Sequence, residues 1–159
     1  MILKNLASVI LSAGLLVAVA LPAAAQSSAV DAPPPLQALD FGPFEADLAT
    51  QTDQRRSELD ELVIEASIAD LQSAMESGAL TSLELTSYYL DRIRRHDVDG
   101  LRSMLELNPE ALTIAADLDA ERAAGNVRGP LHGIPVSLKG NIGTADQMHT
   151  SAGAVALAG

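Results

Sequence analysis

Ser137 and Lys139 lie two residues apart in the stretch GIPVSLKGNI, where Ile134, Val136 and Leu138 are apolar. In an extended backbone successive side chains point to opposite faces, so Ser137 and Lys139 share one face and Val136 and Leu138 the other. A lysine held among apolar groups loses the solvation of its ammonium, and its pKa falls towards neutrality. The free amine can then take the proton of a serine hydroxyl, which is too weak a nucleophile without such help. Serine with lysine is one variant of the serine hydrolase arrangement. A local Ser137–Lys139 dyad is disfavoured, because same-face neighbours on one strand stand about 7 Å apart at their roots. On residue type alone, most lysines at strand ends are simply exposed.

Other chemistries are excluded by what surrounds the polar residues. The order Leu138-Lys139-Gly140 lacks the Gly-Lys-Ser/Thr ending of a phosphate-binding loop. Ser151 has Gly153 after it but His149 before it, which does not make the Gly-x-Ser-x-Gly elbow of a hydrolase nucleophile, so Thr150 and Ser151 read as turn or packing residues. Asp117 and Glu121, four apart, read as a solvated helix face. There is no cysteine, hence no disulfide framework or thiolate, and His96, His132 and His149 are too far apart to suggest a local metal-ligand pair. His132, in a Gly/Pro-bounded turn, is expected to bond local backbone. The net charge of −11 repels phosphate backbones, and the ten Lys and Arg are scattered rather than gathered into a stripe, so nucleic acid is not an expected partner.

The elements that would position Lys139 follow a leader. Residues 1–25 carry Lys4, an apolar run from Leu6 to Leu21, Pro22 and a closing Ala23-Ala24-Ala25, the pattern of a signal peptide cleaved after Ala25. The run is shorter than the ~20 residues that span a bilayer, and no cysteine offers a lipid anchor, so a periplasmic or extracellular product without a stable membrane anchor is expected. Residues 26–35 end in three prolines and read as an extended tether, with a mixed, partly helical segment to residue 57. Ser67 with Asp70 predicts a helix start, with Ile68, Leu71 and Met75 on one face and a stop at Gly78. Thr81 with Glu84 is a capping-box pattern opening a second helix, whose apolar face is Leu85, Tyr88, Tyr89 and Ile93 and whose negative end attracts Arg92, Arg94 and Arg95. Residues 102–107 read as a short strand. Asn108-Pro109 then reads as an N-cap and first helical residue for a third helix ending near Gly125. Residues 129–142 read as turn, strand, turn. With 3% aromatic residues and no Trp, the core has to be built from aliphatic side chains.

The run GPLHGIPVSLKGNIGTADQMHTSAGAVAL resembles the segment that amidase-signature enzymes place around their catalytic lysine, and the three upstream helices are similar to that family's opening helices in order and spacing. The resemblance covers residues 58–159. It implies an α/β fold, a mixed sheet flanked by helices, represented here by its N-terminal part. It also implies that Lys139 is the catalytic lysine of a Ser-cisSer-Lys hydrolase of carboxamide C–N bonds, acting without metal or organic cofactor on small-molecule or peptide amides. The family's two serines lie in a Gly-Ser-Ser-Gly-Gly-like signature downstream of the lysine, and the 159 residues hold no such stretch, so this chain alone is expected to be inactive. Gly140 stands where the family usually has aspartate, which removes a carboxylate that would orient the lysine. The family's tRNA-dependent transamidation enzymes fit an exported acidic chain poorly. The competing expectation is a non-catalytic envelope pseudoenzyme or helical interaction module. Exposed apolar edges and a tendency to aggregate are expected if most of the sheet is absent.

Overall fold

The computed structural model of the protein describes residues 38–154. The leader at 1–25, the three prolines of the tether and the small residues 155–159 lie outside the described residues. What is described is helical: a 3₁₀ turn Gly42–Phe44, then α1 Glu45–Leu48, α2 Asp53–Val63, α3 Ile68–Glu76, α4 Ser82–Arg92 with a π-helical continuation Ile93–Leu101, and α5 Ala111–Ala123.

The helix starts follow from their caps. Ser67 Oγ accepts from Asp70 N while the Asp70 carboxylate accepts from Ser67 N, and Thr81 and Glu84 form the same reciprocal pair. Each box satisfies two amide donors that the first helical turn leaves without partners. Thr52 caps α2 in the simpler way, accepting from Arg55 N. Gly78 (φ +75°) and Gly125 (φ +81°) end α3 and α5 in the left-handed region, where glycine carries no Cβ penalty.

α4 is the central helix. On one side Leu85 and Tyr88 join Leu59, Leu71, Met75 and Leu80 in one core. On the other, Leu90 joins Phe44, Leu48 and Leu112 in a second. Complete burial of a Leu or Phe side chain contributes about 1.5–3 kcal/mol, so these two clusters hold α1, α2, α3 and α5 onto α4. Two residues assigned to apolar faces are more open than expected: Ile68 is 46% and Tyr89 39% exposed, the latter resting edge-on against Tyr88.

Several expectations require correction. No strand is formed among the described residues, so the mixed sheet is not present in them. Residues 102–107 and 134–139 form neither helix nor ladder, because a strand needs a paired edge to satisfy its amides and carbonyls. The third helix starts at Ala111, not at Pro109. Asn108 is not a helix cap: its Oδ1 accepts from Glu110 N and its carbonyl from Ala111 N, which closes a turn before the helix. Arg94 and Arg95 do not serve the helix end. They donate at 3.0 and 2.7 Å to Asp91, a carboxylate only 1% exposed that Arg56 also approaches at 3.6 Å. A carboxylate so enclosed needs those partners to offset its lost hydration. Glu121 is not simply solvated either, since it pairs with Arg128.

Candidate functional site: the lysine segment

The approach to Lys139 is built from a turn pinned to the helical body. Residues 129–133 fold back on themselves, with His132 N donating to Gly129 O at 3.1 Å and Ile134 N to Leu131 O at 3.1 Å. Gln72 of α3 donates to the carbonyls of Pro130 and His132, both at 2.9 Å, and Arg122 of α5 reaches His132 O at 3.1 Å and Gln72 Oε1 at 2.7 Å. His132 is buried and bonds backbone on both sides, as its turn position predicts: Nδ1 lies 3.3 Å from Arg128 N and Nε2 2.9 Å from Leu118 O. An amide N–H can only donate, so Nδ1 accepts, and Nε2 carries the proton given to Leu118. Gly133 has φ +78°, and a Cβ there would collide with Ser82 Oγ at the start of α4. Glycine is therefore required both for the conformation and for the closeness of approach.

Beyond Ile134, which packs on the first core, the chain emerges into solvent. Ser137 and Lys139 are both exposed, and so are Val136 (64%) and Leu138 (49%). Ser137 Oγ lies 3.8 Å from Met104 Sδ, and nothing brings it to Lys139 as a hydrogen-bonded dyad. The Lys139 carbonyl accepts from Ile142 N at 2.9 Å and the Gly140 carbonyl from Ala152 N at 2.9 Å, so the lysine sits at the mouth of a closed loop. The burial that would desolvate its ammonium is not supplied by the described residues. A surface depression of about 410 Å³ is lined by Leu118, Arg128 and residues 129–133 and does not include Lys139.

The loop after Lys139 is held along residues 104–108 by side chains. Glu106 accepts from both His149 N and His149 Nδ1, each at 2.8 Å. Asn108 Nδ2 reaches Asp146 Oδ2 at 3.4 Å, while Asp146 Oδ1 accepts from Thr144 Oγ1 at 2.7 Å and Met148 N at 2.9 Å. Those donors, the Thr144 hydroxyl first, hold the Asp146 carboxyl below its ordinary range. Residues 104–108 are themselves aimed by Asp97. The π-helical segment ends at Arg102 in the left-handed region, and the Asp97 carboxylate accepts from the hydroxyl and amide of Ser103 and from Met104 N. Ser103, through its hydroxyl above all, lowers the pKa of Asp97. The sequence reading did not single out Glu106, Asp97 or Asp146. A lone acid outside a helix is a weak signal; Asp146 binds residues two positions away, whereas the partners of Asp97 and Glu106 lie 6 to 43 positions away.

Comparison with known proteins places this segment. Residues 84–159 match the family model Amidase. A Schizosaccharomyces pombe protein named as an amidase is 50% identical over 97 residues, covering 60% of this chain and 16% of its own length. A glutamyl-tRNA(Gln) amidotransferase chain of Renibacterium salmoninarum is 44% identical over 99 residues, 61% of this chain and 18% of that protein. Among solved structures, the peptide amidase of Stenotrophomonas maltophilia is 53% identical with a TM-score of 0.58, covering 60% of this chain and 20% of its own. An amidase family protein from Bacillus anthracis is 38% identical with a TM-score of 0.65, over 72% and 23% of the two chains. The chain thus spans less than a quarter of the length of each of these relatives.

Proposed function

Because residues 84–159 carry amidase-family sequence, we propose that this chain is the lysine-bearing part of a hydrolase of carboxamide C–N bonds, with Lys139 as its general base. The observation that carries the reading is the 53% identity to a peptide amidase over 60% of this chain. Peptide amides and small carboxamides are the substrates it favours.

In the chemistry proposed, uncharged Lys139 Nζ takes a proton through one serine hydroxyl from a second serine, whose oxygen attacks the amide carbonyl. The C–N bond breaks as the proton returns to the departing amine, and water then hydrolyses the ester. Neither serine of the Gly-Ser-Ser-Gly-Gly type is among the 159 residues. Lys139 needs a cover before its ammonium can be desolvated. The exposed Leu105, Val136, Leu138 and Ile142 offer the apolar surface on which such a cover would pack. The mixed sheet of the family belongs to that completed protein, in which residues 134–139 would gain strand neighbours. The leader at 1–25 supports export, and the mature product would begin at Gln26.

The test is ammonia release from a C-terminally amidated peptide. The protein extended by the coding sequence downstream of Gly159 should release it and be labelled at serine by a fluorophosphonate, whereas residues 26–159 alone should do neither. A downstream sequence without paired serines, or an extended protein inert towards amides, would support the non-catalytic helical module instead. Mass measurement of the exported product tests the leader.

A further inference from the structure

Glu106 makes a two-pronged contact that spans 43 positions. One carboxylate oxygen accepts the backbone N–H of His149 and the other accepts from His149 Nδ1, both at 2.8 Å. Hydrogen bonds to an ionised acceptor are shorter and stronger than neutral ones. A carboxylate can only accept, so Nδ1 must carry a proton, and the neutral imidazole is held as its Nδ1–H form. His132 is the opposite tautomer, with Nδ1 accepting from Arg128 N and Nε2–H donating to Leu118 O.

The position of this contact gives it a purpose. His149 lies on the returning arm of the loop that leaves Lys139, three residues before the Ala152 amide that donates to Gly140 O. Glu106 lies on residues 104–108, which Asp97 directs by accepting the amides of Ser103 and Met104. Gly140 supplies no side chain to fix the loop from within and stands 3.7 Å, by its would-be Cβ, from Leu105. Asp146 binds Thr144 and Met148 within the loop, and Glu106, the residue next to Leu105, holds the loop's returning arm from outside.

We propose that Glu106 is a positioning residue for the Lys139 loop, acting through His149 as a clamp that ties residues 139–152 to residues 104–108. The inference deepens the assignment of Lys139 as general base and rests on it for its purpose, but the clamp itself can be measured without catalysis.

The test uses the whole chain and two readouts, amide hydrogen exchange and imidazole ¹⁵N shifts at alkaline pH. The parent should show His149 as the Nδ1–H tautomer and His132 as Nε2–H. Glu106→Ala should speed exchange at His149 and Ala152 about 10-fold, as expected when a charge-assisted bond is lost from a loop, and leave α3 and α4 unchanged. Glu106→Gln keeps one carbonyl acceptor, so it should recover part of that protection while weakening the Nδ1–H preference. His149→Ala keeps the backbone donor and should fall between parent and Glu106→Ala. Lys139→Met should alter neither readout, so loss of the lysine's role would leave the clamp standing. An Nε2–H tautomer at His149 in the parent, or unchanged exchange in Glu106→Ala, would overturn the proposal.

Discussion

Asp119 of α5 accepts the backbone amides of Ser82 and Leu83, at 2.7 and 3.0 Å, and so completes from another helix the cap that Thr81 and Glu84 begin on α4. Four amides at the start of a helix lack internal partners, and here the two left over by the capping box are supplied from 36 and 37 positions away. The same bonds lock α5 onto the central helix. Asp119→Ala should therefore cost about 1–2 kcal/mol, the range of a lost N-cap. Urea denaturation checks this, and an unchanged midpoint would show the bond to be dispensable.

Gly133 and Gly125 share a left-handed backbone but not a neighbourhood. An added methyl at Gly125 meets open space, whereas at Gly133 it meets Ser82 Oγ and Met75 Sδ. Gly125→Ala should cost about 1–2 kcal/mol from backbone conformation alone. Gly133→Ala adds overpacking of about 1–3 kcal/mol to that. Paired denaturation curves should separate the two variants; equal losses would mean that the turn can move off α4.

Stability should fall at both ends of the pH scale for identifiable reasons. Burial, then the hydrogen bond to Asp60, pushes the Tyr88 phenol up to about 12 from its ordinary 10.0. Its contribution is full below pH 10 and is lost as pH rises towards 12. Asp97 moves the other way: the Ser103 hydroxyl and the amides of Met104 and Ser103 lower its pKa from 3.8. That contribution is present above the ordinary carboxylate value and is lost as pH falls through the lowered one. Thermal melts against pH should show both limbs. Tyr88→Phe should flatten the alkaline limb and Asp97→Asn the acid one.

Val136 and Leu138 are 64% and 49% exposed on a segment without strand neighbours. Replacing both with threonine should change stability by less than about 0.5 kcal/mol, as for other surface sites. It should also reduce self-association of the isolated chain, because less apolar surface faces water. Light scattering against concentration provides the measurement, and a parent that stays monomeric at all concentrations would contradict this expectation.

The helices are legible in the sequence because their signals are local. Ser67 with Asp70, Thr81 with Glu84, and the glycines at 78 and 125 each act within four residues of the turn they begin or end. The segments read as strands are not legible in the same way, since alternation at 102–107 and 134–139 describes a surface that a strand could use, while a strand also needs an edge to pair with. The Lys139 segment is recognisable from its motif. Its support is not, because Gln72, Arg122, Asp97 and Glu106 act over distances that periodicity does not encode. Arg94 and Arg95 show the same limit: helix-end position suggests one partner, and the buried Asp91 supplies another.

The most direct test of the account is carboxamide hydrolysis by the downstream-extended protein, compared with its Lys139→Met variant under saturating peptide amide. If Lys139 is the base that activates the serine, kcat should fall by about 10³-fold or more while the helical body melts as before. Hydrolysis that persists at the parent rate in Lys139→Met would contradict the assignment.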